Sequence, residues 1–187
     1  HEIYVVVGYL KEQFYEWAKK YDDITLIENP WYAECNNIAS LYVAREYLNN
    51  AIILDGDQII RNPAILHREF TCSGYSCAWT DSTTDEWLLT VENGIVTKCS
   101  RTGGDHGWQL FSVSRWTAED GQRLRKHLEL EFVQNENRSI YWDDVAMFCH
   151  PDEYQFGVYP ISAEDLREID SFTELCEADP SYKGGFD

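Results

Sequence analysis

The run Ile52-Ile53-Leu54-Asp55-Gly56-Asp57 sets two carboxylates just past the carboxyl end of a short, buried-looking strand. In open α/β sheets that end of a strand is where ligands bind. A magnesium ion takes one or two carboxylates and completes its shell with water and substrate phosphate oxygens. Asp57, beyond a glycine that lets the backbone turn, is placed to supply one of them. The same tripeptide also suits an ordinary turn, with Asp55 capping it and Asp57 solvated. Further acids come late, in Tyr141-Trp142-Asp143-Asp144 and in Glu168-Ile169-Asp170-Ser171. An aromatic face attracts a cation and a neighbouring acid neutralises it, a pairing of roughly 0.5–2 kcal/mol per ring, so aromatic residues beside acids suit a quaternary ammonium group. Against this, Trp142 can be core, Asp143 an N-cap and Asp170 a cap for the helix that starts after it. Asn36-Asn37 likewise reads as a helix cap or as polar recognition of a base or ribose at a helix start.

Other chemistries lack carriers. His1, His67, His106, His127 and His150 are scattered without ligand spacing, and no nucleophile elbow, P-loop or dinucleotide glycine pattern is present. Covalent catalysis and hydride transfer therefore have no support. The cysteines at 35, 72, 77, 99, 149 and 176 show no CxxC pairing, which favours reduced thiols in a cytoplasm and gives no expectation of zinc. The net charge of -18, from 15 basic and 33 acidic residues, would repel a nucleic-acid backbone. Free nucleotides stay compatible with it, because magnesium held by carboxylates can bridge an acidic protein to a phosphate. No stretch approaches the roughly 20 apolar residues of a membrane span. A soluble, cytoplasmic protein without membrane insertion is expected.

The elements that must position these residues follow from the apolar pattern. With 44% hydrophobic and 14% aromatic residues in 187, one compact domain over 1–187 is expected. Ile3 to Val7, closed by Gly8, reads as a strand buried on both faces, and Leu10, Phe14, Trp17 and Tyr21 recur at helical spacing over Leu10 to Tyr21. Ile24 to Ile27 is the next strand, residues 36 to about 49 a second helix, and Ala51 to Leu54 a third buried strand. This alternation predicts an α/β fold with a mixed, mostly parallel sheet flanked by helices. An antiparallel extension is predicted from Tyr75 to Trp79, Trp87 to Val91, Ile95 to Cys99 and Leu110 to Val113, with Asn93-Gly94 as a hairpin signal. Helices are expected at Ala118 to Phe132 and Asp143 to Cys149, a strand at Gly157 to Pro160, and a short helix after Ser171.

In their order along the chain, several of these segments resemble successive motifs of bacterial phosphocholine cytidylyltransferases. They are Val7-Gly8-Tyr9-Leu10-Lys11-Glu12-Gln13-Phe14, Asn29-Pro30 with Asn36-Asn37-Ile38 and Ser40-Leu41, and Leu54-Asp55-Gly56-Asp57. Thr84-Asp85-Glu86-Trp87-Leu88, the glycine-rich stretch before Phe111-Ser112-Val113, Tyr141-Trp142-Asp143-Asp144 and Glu168-Ile169-Asp170-Ser171 continue the likeness over roughly residues 2–177. The resemblance implies a nucleotidyltransferase of the GT-A-like type that moves CMP from CTP to phosphocholine, releases pyrophosphate and uses magnesium. The acceptors 2-aminoethylphosphonate, phosphoethanolamine and a sugar 1-phosphate remain alternatives, as does a non-catalytic nucleotide or choline-phosphate binding module.

By the same resemblance, Asp57 and Asp170 are the catalytic metal-binding acids, with Asp143 competing for the second place. Trp87 and Tyr141 form an aromatic choline box with Asp143 or Asp144, and Asn37, Ser40 and Asp55 face the nucleotide. The family opens with a strand, a glycine-rich loop and a basic residue that cradle the triphosphate. None of these is in the sequence, and Arg61, Lys98 and Arg101 do not match the basic residue. An N-terminally truncated chain with little transferase activity of its own is expected.

Overall fold

The computed structural model describes residues 2–184. Its backbone divides into two compact units, one of His1–Ala51 with Trp116–Gln155 and the other of Ile52–Arg115 with Phe156–Asp187. Among the described residues no helix is long and apolar enough to cross a membrane.

In the first unit, β1 (Ile3–Val7) and β2 (Ile24–Glu28) pair in parallel, from Ile3 opposite Ile24 to Val7 opposite Glu28, with α1 (Lys11–Ala18) between them in sequence. The apolar run of β1 predicts burial on both faces, but only Val7 is buried. Among the described residues the ladder has two strands, and its faces are covered only in part. For the same reason Phe14, Trp17 and Tyr21 stay 38–46% exposed and pack on one another, with Trp17 and Tyr21 rings 5.0 Å apart. The second helix is shorter than its pattern suggests: α2 (Ile38–Val43) gives way to a tighter 3₁₀ turn at Arg45–Tyr47.

The longest helix, α3 (Ala118–Glu129), begins at Thr117, whose hydroxyl accepts the Asp120 N–H at 3.2 Å, and its first turn carries Glu119 and Asp120 against the helix dipole. It runs on into a π turn at Leu130–Gln134, where the Asn135 N–H reaches back to the Leu130 carbonyl. The short α4 (Trp142–Asp144) likewise continues as a π turn, Val145–Cys149. Leu124, Leu128, Val145 and Ala146 are fully buried, and Trp116 meets Trp142 and Tyr154 edge-on at 6.1 and 5.9 Å.

The second unit holds a six-stranded sheet in the order β3-β8-β5-β9-β7-β6. Its strands are β3 (Ala51–Leu54), β5 (Gly74–Thr80), β6 (Leu88–Glu92), β7 (Ile95–Ser100), β8 (Gly107–Trp116) and β9 (Gly157–Pro160). The third strand of the sequence is half-buried rather than buried, and it pairs with β8 at the sheet edge. Parallel pairing joins β5 to β9, and antiparallel pairing joins β5 to β8 and β6 to β7. The Asn93-Gly94 signal closes the β6–β7 hairpin with positive φ at both residues, 52° and 82°, as a type I′ turn requires. A separate two-stranded ladder pairs β4 (Gln58–Ile60) with β10 (Leu166–Glu168), after which α5 (Phe172–Ala178) follows. The architecture is mixed α/β, with flanking helices and an antiparallel extension.

One glycine in α3 sits where no side chain fits. A Cβ on Gly121 would lie 2.1 Å from the Leu48 carbonyl oxygen, a backbone atom that cannot swing aside. Inside an exposed helix Gly→Ala gains roughly 1 kcal/mol. Here Gly121→Ala is expected to destabilise by roughly 1–3 kcal/mol, the usual range for overpacking, read as a lower midpoint in urea unfolding.

Candidate active site

The β4–β10 ladder brings the late acids to the early one. Glu168 lies opposite Gln58, and one step further the Ile169 N–H donates to the Asp57 carbonyl at 2.9 Å. Side chains in a strand alternate, so Glu168 and Asp170 leave the same face on either side of Ile169. As a result the carboxylates of Asp57, Glu168 and Asp170 place an oxygen each within 4.8 Å of one another. Asp57 and Asp170, singled out in the sequence, are thus neighbours, and Glu168 joins them. Glu168 was legible as the i−2 partner of Asp170 in a strand, but the short span 166–168 carries too few apolar residues to announce itself as one.

The elements around the ladder hold this arrangement. The Asp165 carbonyl accepts the Arg61 and Asn62 N–H groups at 2.8 and 2.9 Å, and Asn62 donates its amide to the Asp165 carboxylate at 2.9 Å. Ser171, rather than Asp170, caps α5: its hydroxyl accepts the Glu174 N–H at 3.2 Å, while Glu174 accepts the Asp170 N–H at 2.9 Å. Asp170 therefore keeps its side chain out of the capping role.

Burial first and crowding second set the electrostatics. Burial, followed by the charges of Asp57, Asp170, Glu86 and Asp55, pushes the Glu168 carboxyl up to about 7 from an ordinary 4.5. Asp55, half-buried at the end of β3, contributes to the same negative field. A hard divalent cation prefers such oxygen ligands, and it would relieve the repulsion that now favours a proton on Glu168. The residues present fit magnesium.

Glu86, which acts on Glu168, precedes Trp87 in the loop before β6. That loop is pinned by a bridge in which Thr84 and Gly104 exchange backbone hydrogen bonds at 3.0 Å. Gly103 is required there, since φ is 68° and a Cβ would meet the Thr84 carbonyl at 1.8 Å. Trp87 is half-buried, with the Arg101 guanidinium 5.5 Å from its ring centre. The guanidinium stands over one of the two ring faces, within cation–π range.

The other candidates belong to the first unit. Tyr141 is 49% exposed, and its N–H donates to Asp144 Oδ2 at 3.0 Å. Asp143 and Asp144 are buried, at 8% and 2% exposure. The Trp142 N–H donates to Asn37 Oδ1 at 2.9 Å, and Asn29 donates to Ser40 Oγ at 3.1 Å. Asn37 and Ser40 thus each give an acceptor to the frame. Trp142, buried against Trp116, is core, and Asp143 lies inside α4 rather than at its N-cap.

No protein-family model matches the chain. The chain is 30% identical over 183 residues to a 2-aminoethylphosphonate cytidylyltransferase of Lancefieldella rimae, covering 96% of this chain and 74% of that protein. It is 31% identical over 180 residues to a choline-phosphate cytidylyltransferase of Haemophilus influenzae, covering 92% and 73%. Among solved structures it matches the CTP:phosphocholine cytidylyltransferase of Streptococcus pneumoniae with a TM-score of 0.85 at 28% identity, covering 96% of this chain and 78% of that one.

The crowding at Glu168 gives a pH signature. Because its folded pKa is raised, its contribution to stability is complete below the ordinary 4.5 and is lost as pH rises through about 7. In metal-free buffer, Glu168→Gln is expected to melt higher than the parent at pH 8 and to lose that advantage by pH 4.5. Parallel Tm curves for the two proteins across this range would contradict the raised Glu168 carboxyl.

Proposed function

We propose phosphocholine as the acceptor for this chain, which belongs to the cytidylyltransferase family that includes the choline-phosphate and 2-aminoethylphosphonate enzymes. The reaction is CTP-dependent cytidylyl transfer with release of pyrophosphate. The observation that carries the reading is the meeting of Asp57, Glu168 and Asp170 on one small ladder.

The acceptor phosphate is already ionised near neutral pH, so one of its oxygens can attack the α-phosphorus of CTP in line. The new P–O bond forms as the bond to pyrophosphate breaks, and the electron pair leaves with pyrophosphate. No side chain has to take a proton. Asp57, Glu168 and Asp170 are the residues that would hold magnesium, which when bound supplies charge neutralisation at the attacked phosphate and the leaving group. The ring faces of Trp87 and Tyr141 would each take a cationic head group, and Asp143 and Asp144 lend negative charge to the Tyr141 segment. Asn37 can offer its amide N–H groups, and Ser40 its hydroxyl hydrogen, to a nucleotide. Six free cysteines suit a reducing cytoplasm.

The relative from Lancefieldella rimae favours a second acceptor, 2-aminoethylphosphonate. That molecule presents a primary ammonium, whose N–H groups need acceptors, whereas a quaternary ammonium has none to donate and relies on ring faces.

The test is pyrophosphate release from CTP by the protein as its gene encodes it, with and without magnesium. The acceptor panel holds phosphocholine, phosphoethanolamine, 2-aminoethylphosphonate and sugar 1-phosphates. Release with phosphocholine should require magnesium and fall by about 10²-fold or more in Asp57→Asn. Trp87→Ala and Tyr141→Ala should each raise KM for phosphocholine roughly 2- to 30-fold, the equivalent of one lost cation–π contact. A preference for 2-aminoethylphosphonate that survives both ring deletions would assign the second acceptor. CTP binding with no release on any acceptor would reduce the chain to a binding module.

A further inference from the structure

Gln58, the first residue of β4, carries a carboxamide that the fold buries without pairing. Its Oε1 and Nε2 atoms are both shut off from solvent, and neither has a hydrogen-bond partner among the described residues. A carboxamide offers two N–H donors and two acceptor lone pairs, so this whole set goes unmatched. Most buried polar groups in a fold are paired, and an orphaned one calls for an explanation such as a ligand or an ion. Asn62, four residues on, shows the contrast: it donates to the Asp165 carboxylate and accepts the Ala64 N–H.

The ladder fixes the direction in which this side chain leaves the backbone. Gln58 stands directly opposite Glu168, and residues paired across an antiparallel ladder share a face. By alternation Ile60 and Leu166 lie on that face too, and Leu166 is buried, so the face looks inward. Paired Cβ atoms stand about 4.5–5.5 Å apart. Glutamine and glutamate are equally long, so at that spacing a change of rotamer brings amide and carboxylate together. Their needs are complementary, since an ionised carboxylate only accepts and the amide brings N–H donors. Burial and like charge set the Glu168 carboxyl, with no hydrogen bond among the causes. An acid without donors thus faces an amide without acceptors.

We propose that Gln58 is a positioning residue for the divalent ion: its amide N–H groups hold the ionised Glu168 carboxylate in the orientation that shares the ion with Asp57 and Asp170. This rests on the assignment of those three acids to magnesium. A ligating carboxylate that is itself hydrogen-bonded is the usual arrangement behind a metal. Donation to an ionised acid is about twice as strong as donation to a neutral group, so the contact gains as the ion draws the proton off Glu168. The carboxamide suits this place because it is uncharged. A lysine would compete with the ion, and a fourth acid would add to the repulsion. Oε1 stays available to accept from water in the shell of a magnesium ion, which keeps several.

The test uses the protein as its gene encodes it, with Mn²⁺ in place of magnesium and free Mn²⁺ counted by its EPR signal at pH 8. Gln58→Met, close to the parent in shape, should weaken Mn²⁺ binding about 10- to 100-fold. It should keep or raise Tm in metal-free buffer, because it removes two orphaned polar groups from the interior. In a Glu168→Gln background the same change should cost no further affinity, since the effect runs through that carboxylate. An equal further loss there would overturn the link to Glu168. Affinity that is unchanged in Gln58→Met, or that falls only in step with Tm, would make the glutamine merely structural. Asp57→Asn separates this proposal from the one it rests on. If that variant loses Mn²⁺ while Gln58→Met keeps the parent's affinity, the acids stand as ligands and Gln58 drops out. No Mn²⁺ binding by the parent would remove both. Should the methionine variant fail to fold, Gln58→Leu reports the same loss of the amide.

Discussion

Three carboxylates within 4.8 Å of one another repel, and backbone pairing in the second unit holds together the two segments that carry them. The β4–β10 ladder has only three residue pairs, extended by the bond from Ile169 to the Asp57 carbonyl. So short a ladder would not persist against like charges without support. It is pinned at one end by the Asp165 carbonyl, which accepts two backbone N–H groups from Arg61 and Asn62. At the other end the Ser171 cap and the Arg167–Glu177 ion pair fix α5 to the strand. Strain of this electrostatic kind is what a cation relieves, so the same crowding that costs stability in the empty ladder raises affinity for a divalent ion.

Much of this was legible in the sequence, because the strongest signals are local. Asn93-Gly94 fixed a hairpin since both residues tolerate positive φ, and the helices expected from Ala118 and after Ser171 are present, the second capped by Ser171 rather than by Asp170. The strand at Gly157–Pro160 stands where its apolar pattern puts it. The elements that escaped were those decided by distant partners. Burial of β1 depends on how many strands flank it, and the pairing of β3 with β8 joins segments more than fifty residues apart. Glu168 was missed because β10 is three residues long, too short for alternation to show.

The candidate residues of the first unit show how one side chain can serve the frame and a ligand. Asn37 gives its oxygen to the Trp142 backbone and Ser40 its oxygen to Asn29, so each is oriented before any nucleotide arrives. Asp144 is buried and accepts the Tyr141 N–H, which sets the angle at which the exposed Tyr141 ring leaves the helix. A carboxylate used in this way acts on a ligand through another residue's position.

A π turn is a helical turn carrying one residue more than an α-helical turn does, closed by an i→i+5 hydrogen bond. In Leu130–Gln134 the surplus residue turns everything after it by about 100° relative to an uninterrupted helix. Asn135 and Asn137, whose amides hold Glu131, stand where they do because of that extra step. A homologous chain one residue shorter here could keep every side chain of α3 and still lose the Glu131 clasp. In tracing descent within the family, the length of this segment is therefore as informative as the identity of its residues.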